Sequence, residues 1–135
     1  MEKETKLSKL VVVDSSVFID YLRNYPKGLD FIKSIPKENR ENFLFSAITE
    51  TELIAGKSCD KEDVRTTVLG MLSQFTKVEV DNPVALKAGD LCRKYNTQLP
   101  DSIIAATAII NNAELLTKNI SDFKGIKDLK VRKPY

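Results

Sequence analysis

The chain has 135 residues, 42% of them hydrophobic and 30% charged, with 21 lysines and arginines against 19 aspartates and glutamates, a net charge of +2. That length is about one domain, residues 1–135, with apolar side chains enough for a core that needs no disulfide or metal staple. Disorder, collagen and coiled coil are excluded by this composition, while so even a charge balance permits nucleic-acid binding without requiring it.

Histidine is absent. Mechanisms that need a histidine base, a histidine-oriented serine or cysteine nucleophile, or histidine metal ligands are therefore excluded. Cys59 and Cys92 are far apart, so they form neither a CxxC pair nor a zinc knuckle. Two lone thiols without a secretion signal suggest a reducing cytoplasm and a packing role. The first apolar run, Leu10 to Val13, is too short for a signal peptide or a membrane span, so the expectation is a cytoplasmic protein with no membrane partner.

In chain order, residues 1–9 read as an N-terminal extension. Leu10 to Val13 is a β-branched run, the pattern of a strand buried on both faces of a parallel sheet. Asp14-Ser15-Ser16 can cap the helix that follows, where Phe18, Leu22 and Tyr25 recur before Pro26. Gly28 to Ile35 reads as a second helix, Phe43 to Phe45 as a strand, and Thr49 to Ala55 as a helix stopped by Gly56. Val64, Val68, Met71, Leu72 and Phe75 share one face of a helix capped near Asp60. That stripe suits either the core or an interface. Lys77 to Val80 is a third strand, and Asp81-Asn82-Pro83 starts a helix with Val84, Ala88, Leu91, Cys92 and Tyr95 on its buried face. Pro100-Asp101 opens an apolar helix through Ile110, Glu114 to Thr117 is a fourth strand, and Leu129 to Val131 a short last one. Strands alternating with helices predict an α/β fold, a mainly parallel sheet covered on both sides.

The C-terminal part, Lys118 to Tyr135, holds six basic and two acidic residues. Its basic end, 124–135, is either a solvated terminus or an edge that contacts phosphates.

Open parallel sheets bind ligands beyond the carboxyl ends of their strands. Four acids fall near such ends: Asp14 after the first strand, Glu52 in the helix after the second, Asp101 at the start of the helix before the fourth, and Asp122 after the fourth. Each also has a structural explanation. Asp14 can cap a helix, Glu52 can complete a capping box with Thr49, Asp101 can complement a helix dipole, and Asp122 can be a loop acid. If they meet, charge decides the matter. Two carboxylates ~5 Å apart repel by about 3 kcal/mol at an effective dielectric near 20, so four on one rim need protons or a cation. All-oxygen donors favour Mg²⁺ or Mn²⁺ over zinc, and such ions lower the pKa of water and stabilise a phosphoryl displacement.

The stretches VVVDSSVFIDYL, SAITETELIAG, LPDSIIAATAIINNAELLTKN and ISDF resemble, in order and spacing, the blocks of PIN-domain proteins, and among these the VapC toxins of prokaryotic toxin–antitoxin pairs. The likeness runs from Leu10 to Phe123. Its most specific part is Pro-Asp-x-x-Ile-Ala-Ala-x-Ala followed by Leu-Thr-x-Asn-x-x-Asp-Phe.

The resemblance implies a three-layer α/β/α sandwich and an Mg²⁺- or Mn²⁺-dependent ribonuclease leaving a 5′-phosphate and a 3′-hydroxyl. It implies four catalytic and metal-binding acids, at Asp14, Glu52, Asp101 and Asp122. Ser15 or Ser16 would supply the hydroxyl common beside the first acid. Thr117 and Asn119 match polar positions near the site, and Lys118 stands where arginine is frequent. An RNA substrate, a homodimer and a VapB-like antitoxin are implied as partners. Glu50 is the rival of Glu52, but two positions on a helix point about 200° apart, so only one can serve. Three other functions stay open: a housekeeping PIN nuclease, a non-catalytic PIN-like module that binds RNA or protein, and a phosphoacceptor or phosphatase. The last of these usually wants Asp-Asp or Asp-x-Asp where this chain has Asp14-Ser15-Ser16.

Overall fold

The computed structural model describes residues 9–135, so the expected N-terminal extension lies, save Lys9, outside the described residues. Five parallel strands, β1 (Val11–Val13), β2 (Phe43–Ser46), β3 (Thr76–Val78), β4 (Glu114–Leu116) and β5 (Val131–Arg132), make one sheet in the order β3-β2-β1-β4-β5. Parallel pairing forces crossovers between strands. Most of this chain's crossovers are helical: α1 (Ser15–Leu22), α2 (Pro26–Ser34), α3 (Ala47–Ile54), α4 (Glu62–Leu72), α5 (Asn82–Tyr95) and α6 (Leu99–Ile110).

Successive strand residues face opposite sides of the sheet. Val12, Leu44 and Leu115 join Val84, Leu91 and Ile104 in one core cluster under α5 and α6. Val13 and Phe45 join Val17, Phe18, Ile32, Val68 and Leu72 in a second, on the side of α1, α2 and α4. The result is the expected α/β/α sandwich. Phe18 is the hub of the second cluster, edge-on to Phe45 at 6.1 Å and 5.7 Å from Phe75. Ala105, Ala106 and Ala108 are wholly buried, and their small side chains let α6 lie close to its neighbours.

Several boundaries differ from the sequence expectation. The third strand forms one residue early and stops at Val78, because its partner β2 ends at Ser46 and offers nothing further to pair with. Helix α3 starts at Ala47 rather than Thr49. Ser46 caps it, its Oγ accepting the Ile48 N–H at 3.1 Å, so Thr49 and Glu52 form no capping box. Helix α4 ends at Leu72, and Phe75 reaches the core from the turn beyond. Val68, Met71, Leu72 and Phe75 are core residues, while Val64 is only partly buried. The last strand is Val131–Arg132 because those residues face Leu115 and Leu116 of β4. Cys59 is buried, Cys92 partly so, and both are free thiols. Among the described residues no helix is long and apolar enough to cross a membrane.

Candidate active site

After β1 the chain crosses outward to β2 and β3, then returns to place β4 on the opposite side of β1. Strand order therefore reverses between β1 and β4, and a crevice opens at their carboxyl ends. Asp14 follows β1 directly, and the segment from Thr117 to Asp122 follows β4. Asp122 is the third residue of that segment's own helical turn, Ile120–Phe123, and its charge is felt at Asp101.

Asp14 is buried at 6% exposure. Its Oδ2 accepts two hydrogen bonds, from Thr117 Oγ1 at 2.7 Å and from Ser16 Oγ at 2.9 Å. It flanks α1 at the cap position but makes no side-chain capping bond, so the carboxylate is spent on the site rather than on the helix. Glu52, on α3, accepts a bond from Ser15 Oγ to its Oε1 at 2.5 Å. Thr49 Oγ1, one turn earlier, is 3.2 Å from the same serine oxygen. Ser15 has a single proton to give, and the shorter contact assigns it to Glu52. Glu50 instead pairs with Lys77 of β3 at 3.2 Å, so the two glutamates have separate surroundings.

Asp101 sits in the first turn of α6. Its pKa is raised to about 6, first by burial and then by the negative charges of Asp14, Asp122 and Glu52. All four carboxylates thus share one electrostatic site. Asn119 takes part through its backbone, its N–H donating to Thr117 Oγ1 at 3.0 Å. Lys118 departs from the acids: its N–H is 3.4 Å from Ser16 Oγ, but its ammonium turns to Asp20 Oδ2 at 2.7 Å.

Sequence reasoning missed Thr49 behind Ser15, and the pairing of Asp20 with Lys118 and Tyr135. Burial pushes the Asp20 carboxyl up, but hydrogen bonds from Lys118 and Tyr135 and the charges of Lys118 and Arg23 outweigh it and hold the pKa below the usual value. The one signal was an acid on the buried side of α1, next to Val17 and Phe18, which requires a buried partner.

Among the described residues, no three acidic or thiol side chains stand close enough to enclose an ion as placed. The donor set nevertheless fits a hard divalent cation. It is all oxygen, and the charges of Asp14, Asp122 and Glu52, which add to burial in raising the Asp101 pKa, are charges a cation would neutralise.

A parallel sheet in this order, with acids at its switch point, defines the PIN-like class of α/β/α proteins. This chain belongs to the PIN domain family, which it matches over residues 11–129. It is 30% identical over 126 residues to Ribonuclease VapC10 of Mycobacterium tuberculosis, covering 90% of this chain and 91% of that protein. It is also 30% identical over 127 residues to Ribonuclease VapC19 of the same organism, covering 87% and 95%. Among solved structures, DNA-bound VapBC from Salmonella typhimurium superposes with a TM-score of 0.80 at 25% identity, covering 94% of this chain and 99% of that one. A toxin–antitoxin complex from Klebsiella pneumoniae gives 0.75 at 29% identity, covering 93% and 98%.

Proposed function

We propose that this chain is a divalent-metal-dependent endoribonuclease and the toxin of a type II toxin–antitoxin pair, acting as one cytoplasmic domain over residues 1–135. The observation that carries the reading is the hydrogen-bonded acid rim at the switch point of the sheet, where Thr117 and Ser16 fix Asp14 and Ser15 fixes Glu52. The VapC ribonucleases and toxin–antitoxin complexes it resembles support the same class of activity.

Asp14 and Asp101 would hold the principal Mg²⁺ or Mn²⁺, and Glu52 and Asp122 would complete the rim. The bound ion supplies a water of lowered pKa and positive charge for the phosphate. Thr117 and Ser16 both bond Asp14 Oδ2 and so fix its carboxylate, with Oδ1 outside those two hydrogen bonds. Ser15 fixes Glu52 by Oε1, which leaves Oε2 to orient the attacking water. Water adds to phosphorus in line and gives up a proton to solvent, the bond to the ribose 3′-oxygen breaks, and that oxygen takes a proton from solvent. The ends are a 5′-phosphate and a 3′-hydroxyl, and the 2′-hydroxyl is not consumed.

A VapB-like antitoxin belongs to this reading. A groove of about 500 Å³ between α1, α3 and α4 is walled by Ile19, Leu22, Leu53, Val64 and Val68 and includes Glu52. It suits the apolar face of a partner helix whose end reaches the acid rim. A homodimer is also part of it, with Leu86 and Leu99 exposed on α5 and α6 as apolar surface.

The test is cleavage of total RNA in Mg²⁺ with the ends mapped. Wild type should cut, and EDTA or Asp101→Asn should stop it. Undiminished cleavage by the variant would remove Asp101 from the chemistry. Growth arrest on expression, relieved by a co-expressed antitoxin, tests the toxin role.

A further inference from the structure

A small pocket of about 160 Å³ opens near the acid rim, lined by Tyr25, Lys27, Lys118, Lys133 and Tyr135. Its side chains are three lysines and two tyrosines, with no acidic side chain among them. The acid that supports it is Asp20, only 8% exposed, whose Oδ2 accepts from Lys118 Nζ at 2.7 Å and from the Tyr135 hydroxyl at 2.6 Å. Asp20 pairs with Lys118 alone among the three lysines, so Lys27 and Lys133 keep their positive charge in the lining. Lys27 lies in the first turn of α2, which contains no acid. That end of a helix already carries positive partial charge. A lysine there is unfavourable in the free protein and favourable once an anion is bound.

The pocket also has an aromatic platform. Tyr135 is fixed, its ring 5.9 Å from Phe31 and its hydroxyl on Asp20. Tyr25 is 43% exposed, and Lys118 Nζ stands 5.3 Å from its ring centre. Lys118 links pocket and rim: its N–H is 3.4 Å from Ser16 Oγ, and both Ser16 and the preceding Thr117 hold Asp14. A phosphate in the pocket is one lysine side chain away from the carboxylates.

The geometry points to a subsite for an unpaired RNA nucleotide flanking the cleaved bond, its phosphate among Lys27, Lys118 and Lys133 and its base against Tyr25. This rests on the ribonuclease reading and adds to it the residues that grip the strand beside the cleaved bond. A duplex keeps its base faces stacked inside, whereas a single strand offers phosphate and base together to a basic, aromatic surface. An acidic peptide would use the lysines but leave the exposed ring unused.

The test is fluorescence anisotropy with a short labelled single-stranded RNA in EDTA, where binding is read without cleavage. Lys27→Gln with Lys133→Gln should weaken binding roughly tenfold and flatten the slope of log affinity against log salt by about 0.7 to 1.4. Tyr25→Ala should cost roughly 5- to 100-fold, and Tyr25→Phe should restore most of it. In Mg²⁺ the same variants should raise KM with kcat within about twofold of wild type. Cleavage that none of these variants alters overturns the subsite and leaves the nuclease standing, as does wild type with no measurable RNA affinity. Loss on the lysine changes without loss on Tyr25→Ala, as an acidic peptide site predicts, also overturns it. Pocket-dependent RNA binding by a protein that cuts nothing supports the subsite and counts against the nuclease.

Discussion

Thr117 donates a 2.7 Å hydrogen bond to Asp14 across 103 residues of chain, joining the carboxyl end of β4 to that of β1 where the sheet reverses its order. Both residues are buried. The same hydroxyl accepts the Asn119 N–H and so anchors the loop that carries Asp122. Thr117→Val removes this link while keeping the shape. It should destabilise the protein by about 1–3 kcal/mol, the range for a buried acceptor that loses its donor, and lower kcat at least roughly tenfold for want of an aimed ligand. Thr117→Ser should retain most of both. Urea melts and RNA cleavage on the three proteins check this.

The crowding around Asp101 gives a pH signature. Its folded pKa, about 6, lies above the model-peptide 3.8. The stability it contributes is therefore fully present below about 3.8 and is lost as pH rises through about 6. Two units correspond to about 3 kcal/mol. The group is only half-buried, and solvent screening brings this to about 1 kcal/mol. In EDTA at pH 8, Asp101→Asn should melt higher than wild type, and the gap should close toward pH 4. Saturating Mg²⁺ should reverse the order at pH 8, because only wild type binds the ion fully. A variant that melts lower at every pH would identify Asp101 as a helix-dipole acid instead.

Glu50 and Glu52 differ in what they touch. Glu52→Gln weakens the charge that Ser15 orients and should reduce cleavage by about 100-fold or more. Glu50→Gln gives up only its ion pair with Lys77, worth about 0.2–1 kcal/mol on the surface, and should cleave like wild type. Initial rates on one RNA substrate measure both, and equal losses would contradict the assignment.

Gly28 of α2 packs directly against α1. A Cβ there would stand 2.6 Å from Asp20 Cβ and 3.0 Å from backbone atoms of Asp20 and Tyr21. Gly28→Ala must push the helices apart, at about 1–3 kcal/mol for overpacking, a fall of roughly 3–15 °C in Tm. It also moves the carboxylate that holds Lys118, so RNA affinity in EDTA should fall with stability. A thermal melt indistinguishable from wild type would show the packing is looser than these distances.

Much of the architecture is local and therefore readable along the chain. The β-branched run at Val11–Val13 marks a doubly buried strand, and the apolar helix after Pro100 and the stripe Val68, Met71, Leu72 mark covering helices, because burial imposes the period of each element on its residue types. The absence of histidine narrows the chemistry before any fold is known. The four acids were candidates on the same footing, each beside a strand end, and each with an ordinary cap or loop explanation.

Which explanation holds depends on distances between residues remote in sequence. Asp14 could have capped α1, yet its Oδ2 is taken by Thr117 and Ser16. Glu52 could have closed a capping box, yet Ser46 caps α3 and Ser15 claims the glutamate. Lys118 could have faced the acids, yet Asp20, itself held by Tyr135, draws it into a pocket no motif announces. Residue type and spacing set what each side chain is able to do. Only the crossovers of the parallel sheet, which bring β1 and β4 side by side, decide which partner it meets, since a hydrogen bond or a charge acts over a few ångströms of space and is indifferent to separation along the chain.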